Sequence, residues 1–244
     1  MPTIKLTLEY EGTAYAGWQQ QPHLPSIQQQ VELALFQITQ QKIGVIGAGR
    51  TDAGVHALGQ VASFYSKREL LPQKWAQALN RYLPRDIAVL QSEEVSDSFH
   101  ARYSAKAKTY EYRIRLHPFR SALEHNRTWH IPTLLDLSRM QQTIPWFLGT
   151  HDFSSFEGPR SGSKSQICTI TQMSIHQQAS HLTIRIEADR FLKQMIRGIV
   201  GTVVEVGRGR RNPHDIQTII QSKDRRAAGE TAPPQGLYLV EVLY

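Results

Sequence analysis

The stretch Ile4-Lys5-Leu6-Thr7-Leu8-Glu9-Tyr10 alternates strictly between apolar and polar side chains. A period of two is typical of a β-strand that turns one face to a core and the other to solvent. Ser26 then precedes a segment in which apolar residues recur at helical spacing, namely Ile27, Val31, Leu35 and Ile38. The beginning of the chain therefore predicts a strand followed by a helix that opens at Ser26.

The rest of the first half extends this order. Residues 42–48 and 59–65 are predicted strands on either side of a glycine-rich loop. Pro72 is expected to begin a second helix that runs to about Tyr82, since proline suits the first helical turn. Residues 86–95 form a further strand. The order strand, helix, strand, strand, helix, strand is that of a split β-α-β, ferredoxin-like unit.

The second half follows the same order after a polar stretch at residues 96–108, with a long insertion around residues 149–164. We expect Pro145 to bend or end the first helix of this half early. The predicted strands are residues 109–116, 166–176, 182–188 and 236–244, and the predicted helices are residues 134–148, residues 191–206 and a short one after Pro213.

The predicted fold class is therefore α+β: two ferredoxin-like or RRM-like units that form a continuous mixed, mostly antiparallel sheet with helices on one face. The expected domains are an N-terminal one at residues 1–98, a linker at residues 99–108 and a C-terminal one at residues 109–244. The sheet face without helices could hold RNA.

Composition limits the function classes. The chain has 244 residues, of which 40% are hydrophobic and 20% charged, so it can bury a core and disorder is not expected. Lysine and arginine number 28 against 21 acidic residues, which gives a net charge of +7. A positive balance favours a polyanionic partner such as a nucleic acid, although many basic proteins bind none.

Cysteine usage and hydropathy indicate the compartment. The one cysteine, Cys168, cannot form an internal disulfide, which suits a reducing cytosol. Its strand-like neighbours favour a small packing residue over a nucleophile. No apolar run reaches the length of about 18 residues that spans a membrane. The first residues enter a strand pattern directly, unlike a signal peptide, so we expect a cytoplasmic protein.

The glycine-rich stretch Gly47-Ala48-Gly49-Arg50-Thr51-Asp52 resembles a dinucleotide-binding fingerprint but departs from it. Asp52 occupies the third glycine position, and a strand rather than a helix is predicted to follow. The stretch also lacks the Gly-Lys-Ser/Thr of a phosphate-binding P-loop. Both a nucleotide-binding oxidoreductase and a P-loop protein are therefore disfavoured.

Two interpretations of this loop stay open on spacing alone. Gly47, Gly49 and Gly54 allow a tight turn, and the loop carries Arg50, Asp52 and His56. The arginine could keep a functional carboxylate charged, or the aspartate could form a structural Asx turn. A second pair, His151-Asp152, resembles a metal-hydrolase dipeptide, but no further ligands lie at suitable spacing. We interpret that pair as local hydrogen bonding and expect no metal.

Several longer segments are spread in order over almost the whole chain. They are residues 9–19 (EYEGTAYAGWQ), 49–57 (GRTDAGVHA), 79–84 (LNRYLP), 99–102 (FHAR), 110–112 (YEY), 149–153 (GTHDF), 191–197 (FLKQMIR), 232–237 (APPQGL) and 242–244 (VLY). In these segments the sequence resembles the tRNA pseudouridine synthase A (TruA) family. Each segment is weak evidence, but their order and separations are specific.

The resemblance implies a tRNA pseudouridine synthase, an isomerase that converts uridine to pseudouridine in the anticodon stem-loop at positions 38, 39 and 40. It implies tRNA as partner, a homodimer, and no metal or small-molecule cofactor. The enzyme must reach the sugar and the far edge of the base, so the nucleotide has to leave the stack.

The resemblance also assigns roles. Asp52 matches the catalytic aspartate, as nucleophile or base, and Arg197 matches the arginine that pairs with it and keeps it charged. Tyr110 matches a tyrosine that stacks on the flipped base, and Leu237 an apolar wall of the pocket. Arg50 matches a residue that holds the base out, or else contacts phosphate, and His56 of the same loop is assigned to substrate binding. For Tyr110 and Leu237 the alternative is that each is a plain core residue.

These assignments come from both halves of the chain, so the resemblance places the active site in a cleft between the two units. Apart from the resemblance, Arg190, Lys193 and Arg197 would share one face of the predicted helix at residues 191–206 and form a solvated basic stripe. The competing function is a non-catalytic RNA-binding module of paired RRM-like units. That class needs an aromatic ribonucleoprotein motif on a central strand, and residues 109–116 match it poorly.

Overall fold

The computed structural model describes residues 2–68, 70–159, 162 and 164–244. The chain divides into two compact units, Met1–Lys106 with Tyr238–Tyr244, and Ala107–Leu237. In chain order the elements are β1 (Thr3–Tyr10), α1 (Ile27–Thr39), β2 (Ile46–Gly47), β3 (His56–Tyr65), α2 (Lys74–Asn80), β4 (Ile87–Val95), β5 (Ala107–Leu116), β6 (Trp129–Ile131), α3 (Leu137–Gln141), α4 (Ile144–Phe147), β7 (Gly149–Asp152), β8 (Ile167–Gln178), β9 (His181–Ala188), α5 (Met195–Gly207), α6 (Asp215–Ser222) and β10 (Leu237–Leu243).

The sheet of the first unit is built around β1, which lies between β3 and β4 and is antiparallel to both. β2 pairs antiparallel with the C-terminal end of β3, whereas β10 pairs parallel with its N-terminal end. Ile4, Leu6 and Leu8 of β1 are almost completely buried. The period-two prediction for the opening strand is confirmed, and so is the α+β fold class.

Helix α1 begins where the sequence predicts. Ser26 is its N-cap, and the Ser26 side chain accepts a hydrogen bond from the backbone N–H of Gln29. An N-terminal serine cap satisfies one of the amides that the first helical turn leaves without an intrahelical partner. The helix ends at Gln40, which has a left-handed backbone with φ of 57°. The buried face of the helix consists of Ile27, Val31, Ala34 and Leu35.

The predicted strand at residues 42–48 is wrong except at Ile46–Gly47. The backbone N–H of Val45 donates to the Glu32 carboxylate of α1 at 3.0 Å, and the Gln28 amide donates to the Val45 carbonyl. Side chains of α1 thus satisfy the backbone groups that a strand ladder would use. Helix α2 is also shorter than the predicted span from Pro72 to Tyr82.

The second unit has the strand order β7-β8-β9-β5, with every neighbouring pair antiparallel, and β6 pairs parallel with β5. Each unit therefore carries a mostly antiparallel sheet, as predicted. Residues 134–148 form two short helices, α3 and α4, rather than one, and Pro145 lies in the first turn of α4. The helical stretch does end early, but the break lies at residues 142–143, before Pro145, so the expectation that this proline ends the helix is wrong.

The helix predicted at residues 191–206 is wrong in its first turn. Helix α5 begins at Met195 because Gln194 has a left-handed backbone with φ of 58°. The carbonyl of Lys193 accepts a hydrogen bond from the N–H of Gly158 at 2.8 Å instead of continuing a helical ladder. Arg190 and Lys193 are consequently outside the helix and do not share a helical face with Arg197.

In its described residues, the predicted insertion around residues 149–164 contains β7 and a 3₁₀ turn at Ser154–Phe156. Arg160, Ser161 and Ser163 of this insertion lie outside the described residues. The proposed division at residues 99–108 differs from the compact units in two respects. Residues 99–106 belong to the first unit and residues 107 and 108 to β5 of the second, so the predicted linker is not a separate segment. The last seven residues belong to the first unit because Tyr238 and Leu239 pair with β3.

Helix α5 packs closely against residues 229–237, a segment that we call the strap. A Cβ atom added to Gly201 would lie 1.8 Å from the carbonyl oxygen of Glu230. The N–H of Gly229 donates to the side-chain oxygen of Thr202 at 2.9 Å, which joins the start of the strap to the same helix. The glycine is therefore required by close packing, although glycine disfavours helices.

This packing makes a sharp prediction for Gly201→Ala. Alanine has the higher helix propensity, but its methyl group must displace the strap backbone, and we expect a loss of about 1–3 kcal/mol in unfolding free energy. Urea denaturation followed by circular dichroism measures the change. The control is Gly44→Ala, where an added Cβ meets no atom within 4 Å. A Gly201→Ala variant as stable as the native chain would contradict the packing argument.

Candidate active site

The Asp52 loop, residues 47–56, connects β2 to β3 and is held by backbone contacts with residues 12–18. The N–H of Trp18 donates to the carbonyl of Thr51 at 3.1 Å, and the N–H of Gly54 donates to the carbonyl of Tyr15 at 3.3 Å. Gly17 has φ of 100°, and a Cβ atom there would lie 2.3 Å from the Thr51 carbonyl oxygen. Only glycine fits this approach, so the two backbones define the position of the loop.

Side chains beneath the loop complete its support. The Thr51 hydroxyl and the Tyr10 phenol hydrogen-bond to each other at 2.9 Å. The Gln60 amide donates to the Gly49 carbonyl at 2.9 Å. Burial raises the pKa of Tyr10 to about 12, although the hydrogen bonds from Thr51 and Gln60 oppose the rise. Tyr10 therefore supports the loop as a neutral phenol.

The three functional candidates of this loop differ in exposure. Arg50 is exposed, Asp52 is partly exposed, and His56 is 1% exposed. The N–H of Val55 donates to the Asp52 carbonyl at 3.1 Å, which closes a turn immediately after the acid. The loop thus holds Asp52 at a partly open position on a constrained backbone, where a carboxylate can meet a ligand.

His56 makes contacts that support the fold. Its Nδ1 atom accepts a hydrogen bond from the N–H of Gly12 at 3.0 Å, and its ring stacks on Tyr238 with centroids 4.7 Å apart. The Glu11 carboxylate lies 3.6 Å from the same Nδ1. Because Nδ1 accepts a hydrogen bond from a backbone donor, this nitrogen is the acceptor of the imidazole in that contact. The predicted contact of His56 with substrate stays a prediction.

In the second unit, Arg197 is fixed to the strap. Its Nε donates to the carbonyl of Ala232 at 2.7 Å, and the N–H of Ala232 returns a bond to the Arg197 carbonyl at 3.0 Å. The bond from Nε holds the guanidinium to the strap, and the backbone bond holds the strap to α5. An arginine whose plane is fixed can present its other donors to a carboxylate in a defined direction.

Tyr112 joins the strap to the sheet of the second unit. Its hydroxyl donates to the carbonyl of Pro233 at 2.7 Å. Burial raises the pKa of Tyr112 well above its usual range, and the neighbouring Arg197 opposes the rise only in part. A Cβ atom on Gly236 would lie 2.6 Å from the Tyr112 ring. The protonated phenol and the glycine together let the strap lie flat against β5.

The other two candidate residues of the second unit are Tyr110 on β5 and Leu237 at the start of β10. Tyr110 is two residues before Tyr112 on β5, pairs with Ile186 of β9, and its ring packs edge-on against Phe191 at 5.1 Å. Leu237 is both the last residue of the strap and the first residue of β10. Both side chains are buried. Arg197, Tyr110 and Leu237 are thus linked through the strap and β5.

Sequence reasoning missed the residues that position these candidates. They are Tyr10, Gly17, Thr51 and Gln60 for the acidic loop, and Tyr112, Gly201, Ala232 and Gly236 for the arginine. The matching family segments contain several of them, but spacing offers no signal that a particular tyrosine or glycine supports a distant residue. Their contacts arise between segments far apart in the chain.

The pair His151-Asp152 shows local bonding. The His151 ring bonds to the Leu148 carbonyl at 2.8 Å. Burial opposes ionisation of Asp152, but hydrogen bonds from Ser154 and the ammonium group of Lys223 together lower the pKa of Asp152. Within the described part of the chain, no three or more His, Cys, Asp or Glu residues are grouped as metal ligands.

A cavity of about 170 Å³ lies in the second unit and contains none of the predicted site residues. The acidic residue of this cavity, Glu124, is paired with its neighbours. Burial opposes ionisation of Glu124, but hydrogen bonds from His181 and Arg115 lower its pKa. We therefore do not assign the chemistry to this cavity, which is lined by Arg115, Arg120, Ser121, Glu124, His125, Thr128, Trp129, His130 and Gln235.

Each unit is thus an α+β unit with a mostly antiparallel sheet; the first carries a partly exposed carboxylate on a constrained loop, and the second carries an arginine bonded to the strap. A family model described as "tRNA pseudouridine synthase" matches residues 7–104 and 144–244. The chain is 46% identical to proteins named tRNA pseudouridine synthase A in Acetivibrio thermocellus and Caldicellulosiruptor saccharolyticus. It is 43% identical to tRNA pseudouridine synthase A 2 of Clostridium perfringens. Each comparison covers all of both chains.

This chain therefore belongs to the tRNA pseudouridine synthase family. The family assignment agrees with the resemblance seen in the sequence, and with a fold in which each unit has an antiparallel sheet and helices. It does not by itself assign roles to individual residues.

The buried cysteine gives a prediction about reactivity. Cys168 is fully buried in β8, and burial raises the pKa of its thiol to about 12, with Arg190 opposing the rise. Because the thiolate is the reactive form, we expect no labelling by a disulfide reagent at pH 8 in the folded chain, and one thiol per chain after unfolding in guanidinium. Rapid labelling of the folded chain would contradict this assignment as a packing residue.

Proposed function

We propose that this chain isomerises uridine to pseudouridine at positions 38, 39 and 40 in the anticodon stem-loop of tRNA. The observation that carries the proposal is the Asp52 loop, which holds a partly exposed carboxylate on a constrained backbone in a member of the synthase family. Relatives that match the whole chain are named tRNA pseudouridine synthase A, which supports tRNA as the substrate.

The reaction needs no oxidant, reductant or added group. The bond between C1′ of the ribose and N1 of uracil breaks, and a bond between C1′ and C5 of the same base forms. The hydrogen at C5 is lost to solvent and N1 gains a proton, so that substrate and product are isomers. Hydrogen lost from C5 is therefore a direct measure of the reaction.

In this proposal Asp52 is the catalytic carboxylate and acts on the sugar or on the uracil ring, as nucleophile or as base. Arg197 acts with it by keeping the carboxylate charged in a site from which water is excluded. The bond from Arg197 to the Ala232 carbonyl supports this role, since it orients the guanidinium before substrate arrives.

Four further residues are proposed to bind the substrate. Tyr110 stacks on the uracil that has left the helix stack, and Leu237 forms an apolar wall beside it. Arg50 is exposed on the acidic loop, which suits contact with RNA phosphate or with the displaced base. His56 acts from the end of the same loop.

The alternative, a non-catalytic RNA-binding module of paired RRM-like units, is not favoured. Such a module stacks bases on exposed aromatic residues of a central strand. On β5, Tyr112 is completely buried and its hydroxyl is bonded to the Pro233 carbonyl, so this aromatic residue offers no exposed face to a base. Membership in the synthase family also favours an enzyme.

The proposed partners follow the family. We propose a cytoplasmic homodimer that takes tRNA as its macromolecular substrate and uses no metal or small-molecule cofactor. The net charge of +7 suits a polyanionic substrate. Among the described residues, no helix is long and apolar enough to cross a membrane.

The test of the catalytic role is tritium release from an unmodified tRNA transcript labelled at C5 of uridine. The purified chain alone should release tritium without cofactor, and Asp52→Asn should lower the rate by about 100- to 10,000-fold, the range for a positioned acid or base. The matched control is Asp97→Asn, which changes an exposed carboxylate of the same unit. No release by the native chain, or equal release by Asp52→Asn, would refute the proposal.

The proposed homodimer has a separate test. Sedimentation equilibrium of the protein alone at micromolar concentration should give twice the chain mass of 27.8 kDa. A single species with the mass of one chain, at concentrations where tritium release is observed, would exclude the dimer as the active form.

A further inference from the structure

The turn at residues 99–104 in the first unit is closed by its own hydrogen bonds. The His100 ring accepts bonds at Nδ1 from the backbone N–H groups of Arg102 and Tyr103, each at 3.2 Å. The Ser104 hydroxyl accepts from the N–H of His100 at 3.1 Å, and the N–H of Ser104 donates to the His100 carbonyl at 2.9 Å. Bonds of this kind give the turn a defined shape before any ligand arrives.

The base of this turn is anchored to the rest of the first unit. The Tyr244 hydroxyl donates to the carbonyl of Ala101 at 2.7 Å, and the Tyr244 ring lies 4.9 Å from the ring of Phe99. The Lys5 ammonium group of β1 lies 5.2 Å from the Tyr244 ring centroid. Ala101 is completely buried. The turn therefore projects from a packed base and is not a loose connection.

The turn carries a cationic and aromatic surface. We call this surface the Tyr103 platform; it consists of His100, Arg102 and Tyr103. Tyr103 is 77% exposed. Its ring lies 4.3 Å from the His100 ring, and the Arg102 guanidinium lies 5.7 Å from its centroid. Although His100 and Arg102 contact the ring, most of the Tyr103 side chain is exposed, so this apolar area is available to a ligand.

The chemistry of the platform matches single-stranded RNA. Nucleobases that are not paired expose flat faces that stack on aromatic rings, and this contact tolerates any base. A guanidinium beside the ring can bind the phosphate that follows the stacked base. A peptide ligand would not need a flat ring next to a cation. A base within a duplex is stacked between its neighbours, so its face is not available to Tyr103.

We propose that the Tyr103 platform binds an unpaired nucleotide of the tRNA, with Tyr103 stacking on the base and Arg102 contacting its phosphate. This inference rests on the proposed function for the identity of the RNA. The platform is a binding surface of the first unit and includes none of the residues proposed for catalysis. It holds the substrate and leaves the chemical step unchanged.

The experiment compares Tyr103→Ala, Tyr103→Phe and Tyr103→Leu for tRNA binding and for tritium release. Loss of one stacked base should raise Kd and KM about tenfold or more in Tyr103→Ala, with kcat unchanged. Tyr103→Phe keeps the ring and should bind within about twofold of the native chain. Tyr103→Leu keeps apolar area without a flat ring and should behave like Tyr103→Ala.

Two controls separate stacking from other effects. Tyr65→Ala removes a tyrosine that is 48% exposed in the same unit and should leave Kd unchanged. Arg102→Gln should reduce the slope of log K against log salt by about 0.7, the value for one phosphate contact of a single strand. Tyr103→Ala should weaken binding of oligouridylate but not of a blunt RNA duplex.

The outcomes distinguish this inference from the proposed function. Equal Kd for Tyr103→Ala and the native chain would overturn the inference, as would a loss of kcat with KM unchanged. If the native chain released no tritium while Tyr103→Ala still weakened RNA binding, the proposed function would fail and the platform would stand. If the native chain bound no RNA, the platform would be overturned.

Discussion

The geometry of the acidic site depends on a close approach of two backbone segments, residues 12–18 and residues 51–55. Gly17 admits the Thr51 carbonyl at a distance that a side chain would occupy, and Gly12 does the same for Val55, where an added Cβ would lie 2.0 Å from the carbonyl oxygen. Backbone hydrogen bonds then join the segments. Since main chain holds main chain here, the position of Asp52 does not depend on the rotamer of a long side chain.

The second unit uses the same device for its arginine. Gly201 lets α5 approach the strap, and Gly236 lets the strap lie on the ring of Tyr112. The polar groups brought into this packing are satisfied: Arg197 bonds to Ala232, and Tyr112 bonds to Pro233. A buried donor or acceptor without a partner costs more than a hydrogen bond contributes, so these bonds make the close packing possible. Asp52 in the first unit and Arg197 in the second are therefore each carried on a backbone that close packing holds in place.

The elements that the sequence predicted correctly are those with strong local signals. The strict alternation of β1 and the serine cap of α1 are examples, because neither depends on a distant partner. The errors arose where a distant segment took over the backbone bonds. Glu32 of α1 binds the Val45 amide and interrupts a predicted strand, and Gly158 binds the Lys193 carbonyl and delays α5. Neither partner can be identified from local pattern, since each lies far along the chain.

The amino-acid sequence by itself determined the α+β class, most of the element order, the basic character and, through segments spread along the chain, the family. For the Asp52 loop, the sequence did not decide between a structural turn and a functional site, because three glycines and an aspartate are compatible with both. Only the tertiary structure decided how that loop is supported, that Arg197 is bonded to the strap, and that Cys168 is enclosed. The physical reason is that local patterns report which face of an element is apolar, whereas support and close approach are made by residues that meet only after folding.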